Sequence, residues 1–174
     1  MRRELLEKLE GMDRRRCALL DEVETLDPER LSTRPLPGKW SILEIIEHLV
    51  VAESEILENL PDPSHLTERT RNLKSRFTYP IVMFVLRYRI PVKVPSRRMI
   101  PHGKTSLVAL RHRWDESQGW FKSYIESLQE ADFARTIFQH PVAGPLNVVQ
   151  TVRMGELHLE IHARQIKKLL RPTS

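Results

Sequence analysis

The chain has 174 residues, 40% hydrophobic and 29% charged, a balance that suits one soluble globular domain able to bury its own core. The lone cysteine, Cys17, excludes an internal disulfide and fits a reducing, cytoplasmic compartment; the charge-dense start MRRELLEKLEGMDRRR has no apolar secretory core. The net charge of +5 is uneven: residues 69–104 hold ten Lys or Arg and no Asp or Glu, so the remainder carries a net −5.

Four long segments show helical periodicity. The first runs from Arg2 to Leu26, with Leu5, Leu9, Met12, Leu19, Leu20, Val23 and Leu26 mostly three or four apart. Asp27-Pro28 ends it, because the residue before a proline is pushed out of the α region. The second follows the Pro37-Gly38 turn. Ser41 and Glu44 have the spacing of a capping box, with Trp40 and Ile45 at the flanking staple positions. It continues through Ile46, Leu49, Ala52 and Ile56 to Leu60, and Pro61 ends it.

A long connection, about Asp62 to Lys104, comes next. So many residues without structure are unusual in a compact domain, which predicts a short helix from about Tyr79 to Tyr88. Its apolar run, Phe77 to Leu86, contains Thr78, Tyr79 and Pro80 and falls short of the roughly 20 residues of a membrane-spanning helix. A short strand over Val92–Val94 is a further expectation. The third long helix starts at Thr105 or Ser106 and carries Leu107, Leu110, Trp114, Phe121, Tyr124, Ile125 and Leu128. The fourth follows the turn His140–Pro145, is capped by Asn147 with Gln150, and carries its apolar pattern to Leu170. Four helices of about 20 residues and one long connection between the second and third predict an all-α four-helix bundle.

Seven histidines are present. His158 and His162 stand four apart in the last helix, so both rings share one face about one turn apart, within reach of a common ion. The same spacing also suits two polar residues on a solvated face. Leu157 and Ile161, one position earlier, place the pair at the border of the apolar stripe. Gly155 lies three positions before His158, and a helix-interior glycine costs about 1 kcal/mol against alanine. Close approach of a ligand or a neighbouring helix would account for it. His48 lies mid-helix between Ile45 and Leu49, where a core histidine and a metal ligand are both compatible with the pattern.

The segment Pro37-Gly38-Lys39-Trp40-Ser41 through Glu44, His48 and Leu49 resembles the PGKWS…E…HL signature of the DinB-like superfamily of metalloenzymes. His140-Pro141-Val142-Ala143-Gly144-Pro145-Leu146 resembles its HP.FG.L turn, and His158 to Ile166 its H…H..QI helix. The resemblance covers essentially the whole chain in order and spacing. It implies a divalent metal held by His48, His158 and His162 at one end of the bundle, with a homodimer as the expected assembly. Ala143 departs from the aromatic of many relatives and puts the shape of that turn in question. The relatives of known activity include bacillithiol S-transferases and mycothiol-dependent maleylpyruvate isomerases, so the resemblance implies thiol transfer or a thiol-dependent isomerisation on a small-molecule substrate.

Three neutral imidazoles leave an ion its full charge and at least one open position, as in catalytic and not structural sites. Such an ion lowers the pKa of a bound water or thiol. Metal-assisted hydrolysis is therefore the alternative, and a metal-binding stress-response module without turnover is a third. Imidazole suits zinc, nickel, copper and iron alike. Glu44, one turn before His48, is a candidate base, although the capping box competes for it. Gln165, three after His162, could orient a ligand. In the basic connection, Arg97 and Arg98 are candidates for contacts to the carboxylates of a thiol cofactor or acidic substrate. A solvated linker with a short core helix is the favoured reading of the basic connection, and nucleic acid or an anionic membrane surface are further readings.

Overall fold

The computed structural model describes residues 1–68, 73–88 and 97–171, with backbone alone at 73–76 and 97. The expected strand at Val92–Val94 lies outside the described residues. Four long helices, α1 (Arg2–Glu24), α3 (Ile42–Leu57), α5 (Leu107–Ser127) and α6 (Val148–Leu170), pack together as a bundle. Between them lie the short α2 (Pro28–Ser32), the helix α4 (Leu73–Tyr88) and a hairpin of β1 (Phe138–His140) and β2 (Gly144–Leu146).

Local chemistry sets the boundaries. Ser41 accepts from the Glu44 amide while the Glu44 carboxylate accepts from the Ser41 amide, so the expected capping box opens α3. Asn147 and Gln150 open α6 in the same reciprocal way. α1 ends at Glu24 with Thr25 as its cap, two residues short of the expected Leu26, and the Asp27 side chain caps α2, with Pro28 at the first helical position. That short helix was not expected. α4 starts earlier than expected, at Leu73, which leaves Pro80 inside it. The hairpin pairs His140 with Gly144 and Phe138 with Leu146, and Ala143 is fully buried at its turn. Strands of three residues are too short to display an alternating pattern.

The core is mainly aliphatic and includes Leu20, Ile45, Ile46, Leu110, Ile125 and Ile166, with Trp114 as its largest side chain. A polar cluster crosses it. Arg16 of α1 is 3% exposed and pairs with Asp13 and with Asp115 of α5. Glu53 of α3 accepts from Trp114 Nε1 at 3.0 Å and from Gln118 Nε2 at 2.6 Å. A cavity of about 50 Å³ adjoins this cluster, lined by Arg16, Glu53, Gln118, Gly155 and His158 among others. A Cβ on Gly155 would meet Met12 Cε at 3.7 Å, an ordinary contact, so close helix approach does not require glycine there.

Candidate metal centre

His48 sits in the middle of α3 and is 4% exposed. Two turns of α3 and α6 face each other at this level and bring its ring against those of His158 and His162. Ring centroids are 5.1 Å apart for His48 and His158, 4.9 Å for His48 and His162, and 4.7 Å for His158 and His162. One ligand nitrogen from each lies within 4.8 Å of the others, an arrangement that could hold a metal ion. The Nε2 atoms of His48 and His158 are 3.2 Å apart. Two nitrogens bound tetrahedrally at zinc–imidazole distances would be separated by about 3.3 Å.

The outer nitrogens decide which way the lone pairs point. A backbone carbonyl only accepts, so Nδ1 of His48 carries the proton it donates to Met99 O at 2.8 Å. Nε2 of His48 is then left with a lone pair. Nδ1 of His162 faces Gln165 Oε1 at 3.1 Å, which leaves its Nε2 as an acceptor too. Burial lowers the pKa of all three rings. His162 falls to about 4, through burial and then the neighbouring His48, against the opposing bond to Gln165. His158 falls well below its usual value through burial and then its two histidine neighbours, and His48 falls through burial against the pull of Met99. Three neutral nitrogen donors converging in a buried site fit a divalent cation.

The walls come from two other elements. The Trp40 ring lies 4.8 Å from that of His48 and 6.4 Å from that of His162, so the residue at the staple position also covers the site. The second cover is the end of the long connection, whose Met99 carbonyl meets His48. Glu47 accepts from the His102 and Gly103 amides at 2.8 and 2.6 Å and from the Thr105 hydroxyl at 2.9 Å. Gly103 has φ +66, and a Cβ there would lie 3.2 Å from Glu44 Cγ, so glycine lets this loop close on α3.

The other sequence candidates fall as follows. Glu44 has its carboxylate held by Arg34 and the Ser41 amide, and the Arg34 guanidinium leads the forces that lower its pKa. Gln165 is joined to a triad ring. Arg98 is exposed in the short turn Arg97–Met99, and the side chain of Arg97 lies outside the described residues. His102 is exposed and contributes its backbone amide; His140 accepts two amides within the hairpin turn; His112 pairs with Glu116 on the surface. Met99 and Glu47 escaped the sequence reading. Met99 acts through a carbonyl that no side chain advertises. Glu47 stands beside His48 in sequence, which is the one signal that could have singled it out.

The match to a family model settles the kinship: residues 12–166 fit that of the DinB superfamily. The chain belongs to the DinB superfamily. Among curated proteins, the uncharacterized protein YuaE of Bacillus subtilis (strain 168) is 26% identical over 153 residues, which span 86% of this chain and 88% of that one. Two solved structures share the fold of this DinB protein. TT2238, a four-helix bundle protein, is 19% identical, with 97% of this chain and 99% of that chain covered at a TM-score of 0.56. YfiT from Bacillus subtilis, described as a "probable metal-dependent hydrolase with an unusual four-helix bundle topology", is 17% identical, with 97% and 85% covered at a TM-score of 0.60. No described helix is long and apolar enough to cross a membrane.

Proposed function

We propose that this chain is a metal-dependent enzyme in which His48, His158 and His162 hold one divalent ion that activates a low-molecular-weight thiol toward an electrophilic small molecule. The observation that carries the reading is the convergence of three neutral imidazoles through one nitrogen each. A divalent ion held by three such donors supplies a Lewis-acidic open position that lowers the pKa of a thiol or water reaching it. The chain's own residues prepare that position. Met99 and Gln165 fix the ring orientations of His48 and His162, and Trp40 keeps solvent from one side. The thiol is favoured by the resemblance to bacillithiol- and mycothiol-dependent enzymes. Arg97 and Arg98, in the turn that ends at Met99, are the cations offered to the carboxylates of such a cofactor.

Hydrolysis is the second reading, and the description of YfiT favours it. Protein purified without a histidine tag is expected to carry about one ion per chain by elemental analysis. His48→Ala, His158→Ala and His162→Ala should each lose it, whereas His65→Ala should keep it. Retention of the full metal content by any of the three would remove that residue from the site. Electrophile consumption that requires added thiol supports transfer; ester or amide cleavage without thiol supports hydrolysis. A loaded protein inert in both assays is a binding module, and the enzyme reading then fails.

A further inference from the structure

Helix α4 has two apolar faces. One packs Val82, Met83 and Leu86 against Leu146 and Met154. On the other, Phe77, Ile81, Phe84 and Tyr88 are 69%, 58%, 55% and 62% exposed. Their spacing of four, three and four confines them to an arc of about 60°. They form one ridge about 16 Å long, and the Phe84 and Tyr88 rings touch with centroids 4.3 Å apart. Single exposed apolar residues need no explanation, but a continuous ridge does. A helix apolar on opposite sides is covered on both.

Charge selects the cover. α4 itself carries Lys74, Arg76 and Arg87 and no Asp or Glu, and Arg87 is exposed beside Tyr88. A second copy docking through α4 by twofold symmetry would set this basic helix against itself, cation against cation. Nucleic acid would answer the cations and could stack on the three rings, but it would leave Ile81 without an apolar partner. An anionic bilayer answers both: aromatic and aliphatic side chains enter the boundary between headgroups and acyl chains, and Lys and Arg meet the lipid phosphates. We propose that α4 is a membrane-surface helix that lays the Phe77–Ile81–Phe84–Tyr88 ridge onto an anionic lipid bilayer. The helix lies on the surface and does not cross it.

The test uses the full-length, metal-loaded protein and vesicle flotation. Vesicles of phosphatidylcholine and phosphatidylglycerol in a three-to-one ratio are compared with pure phosphatidylcholine. At low salt, partition into the anionic vesicles should exceed that into the neutral ones by about tenfold or more, and high salt should release the protein. The double variant Phe77→Ser with Phe84→Ser should lose roughly tenfold in partition. Both side chains are exposed, so its circular dichroism and metal content should match the wild type. Equal flotation of variant and wild type overturns the proposal. So does a wild type that ignores vesicles and sediments at twice its mass while the double variant is monomeric, because a second copy is then the cover. Binding of random duplex DNA without binding of vesicles overturns it as well.

Discussion

The carbonyl oxygen of Met99 accepts from Nδ1 of His48 at 2.8 Å, across 51 positions of sequence. That single bond sets the tautomer of the ring whose other nitrogen faces His158. What holds Met99 in place is the loop that follows it, and that loop is held by Glu47.

Glu47 is 6% exposed, and its two oxygens take three hydrogen bonds from His102, Gly103 and Thr105. Glu47→Ala leaves those donors unanswered and frees the loop. Metal affinity, measured by competition with a chelator, should fall about 10- to 100-fold, as for other lost partners of ligating histidines. Thermal unfolding should show a loss of about 1–3 kcal/mol. Glu47→Gln should be milder, because its carbonyl can still accept the two amides and its NH₂ can donate to the Thr105 hydroxyl. An alanine variant with wild-type affinity would show that the loop does not govern His48.

Gln165 stands in the same relation to His162, at 3.1 Å, but from within α6. Gln165→Ala should weaken metal binding about tenfold with little change in melting temperature, since the residue is only half-buried. Gln165→Glu keeps an acceptor and adds negative charge, so it should restore or raise affinity. Equal affinities across the three proteins would mean that the bond leaves the ligand unaffected.

Glu44 separates a cap from a catalytic base. Its carboxylate closes the capping box and pairs with Arg34. Glu44→Ala and Ser41→Ala should each cost about 1 kcal/mol in denaturant unfolding and leave the metal content at the wild-type level. If Glu44→Gln instead abolished turnover in a loaded, folded protein, the carboxylate would belong to the reaction.

The bundle was readable because its helices are long, amphipathic and marked at their starts by Ser41 and Asn147. His158 and His162 were readable as a pair because helical spacing puts residues four apart on one face. His48 was different: periodicity placed it in the core, and its meeting with α6 depends on how two helices distant in sequence pack. The PGKWS resemblance, not the pattern, singled it out. The support of the site was less visible. Met99 contributes only backbone, and Glu47 looks like any helix glutamate until the loop at 101–105 closes over it. The start of α4 was hidden by Pro80, whose preference for the first helical turn suggests a helix that begins there. In fact Pro80 sits mid-helix, where it forgoes one backbone hydrogen bond.

Glu53 gives a pH dependence that can be isolated from the triad. Although the residue keeps some surface, its carboxyl is buried beside Trp114, Gln118 and Arg16. Burial pushes its pKa up to about 7, against the hydrogen bonds from Trp114 and Gln118, which favour the charged form. The unfolded value is 4.5. Between these values the folded chain holds a proton that the unfolded chain has released, so Glu53's contribution to stability is fully present below 4.5 and declines as pH rises to 7. Glu53→Gln removes the titration. Its carbonyl can accept from Trp114, and its NH₂ can donate to Gln118 if that side chain turns its Oε1 inward, an atom otherwise buried without a partner. Urea unfolding of both proteins across this range should show the wild type losing on the order of 1–3 kcal/mol relative to the variant as pH rises. Metal release at low pH affects both alike and cancels in the difference. A difference that stays constant from pH 4.5 to 7 would mean that the Glu53 carboxyl ionises in the folded protein as it does in water.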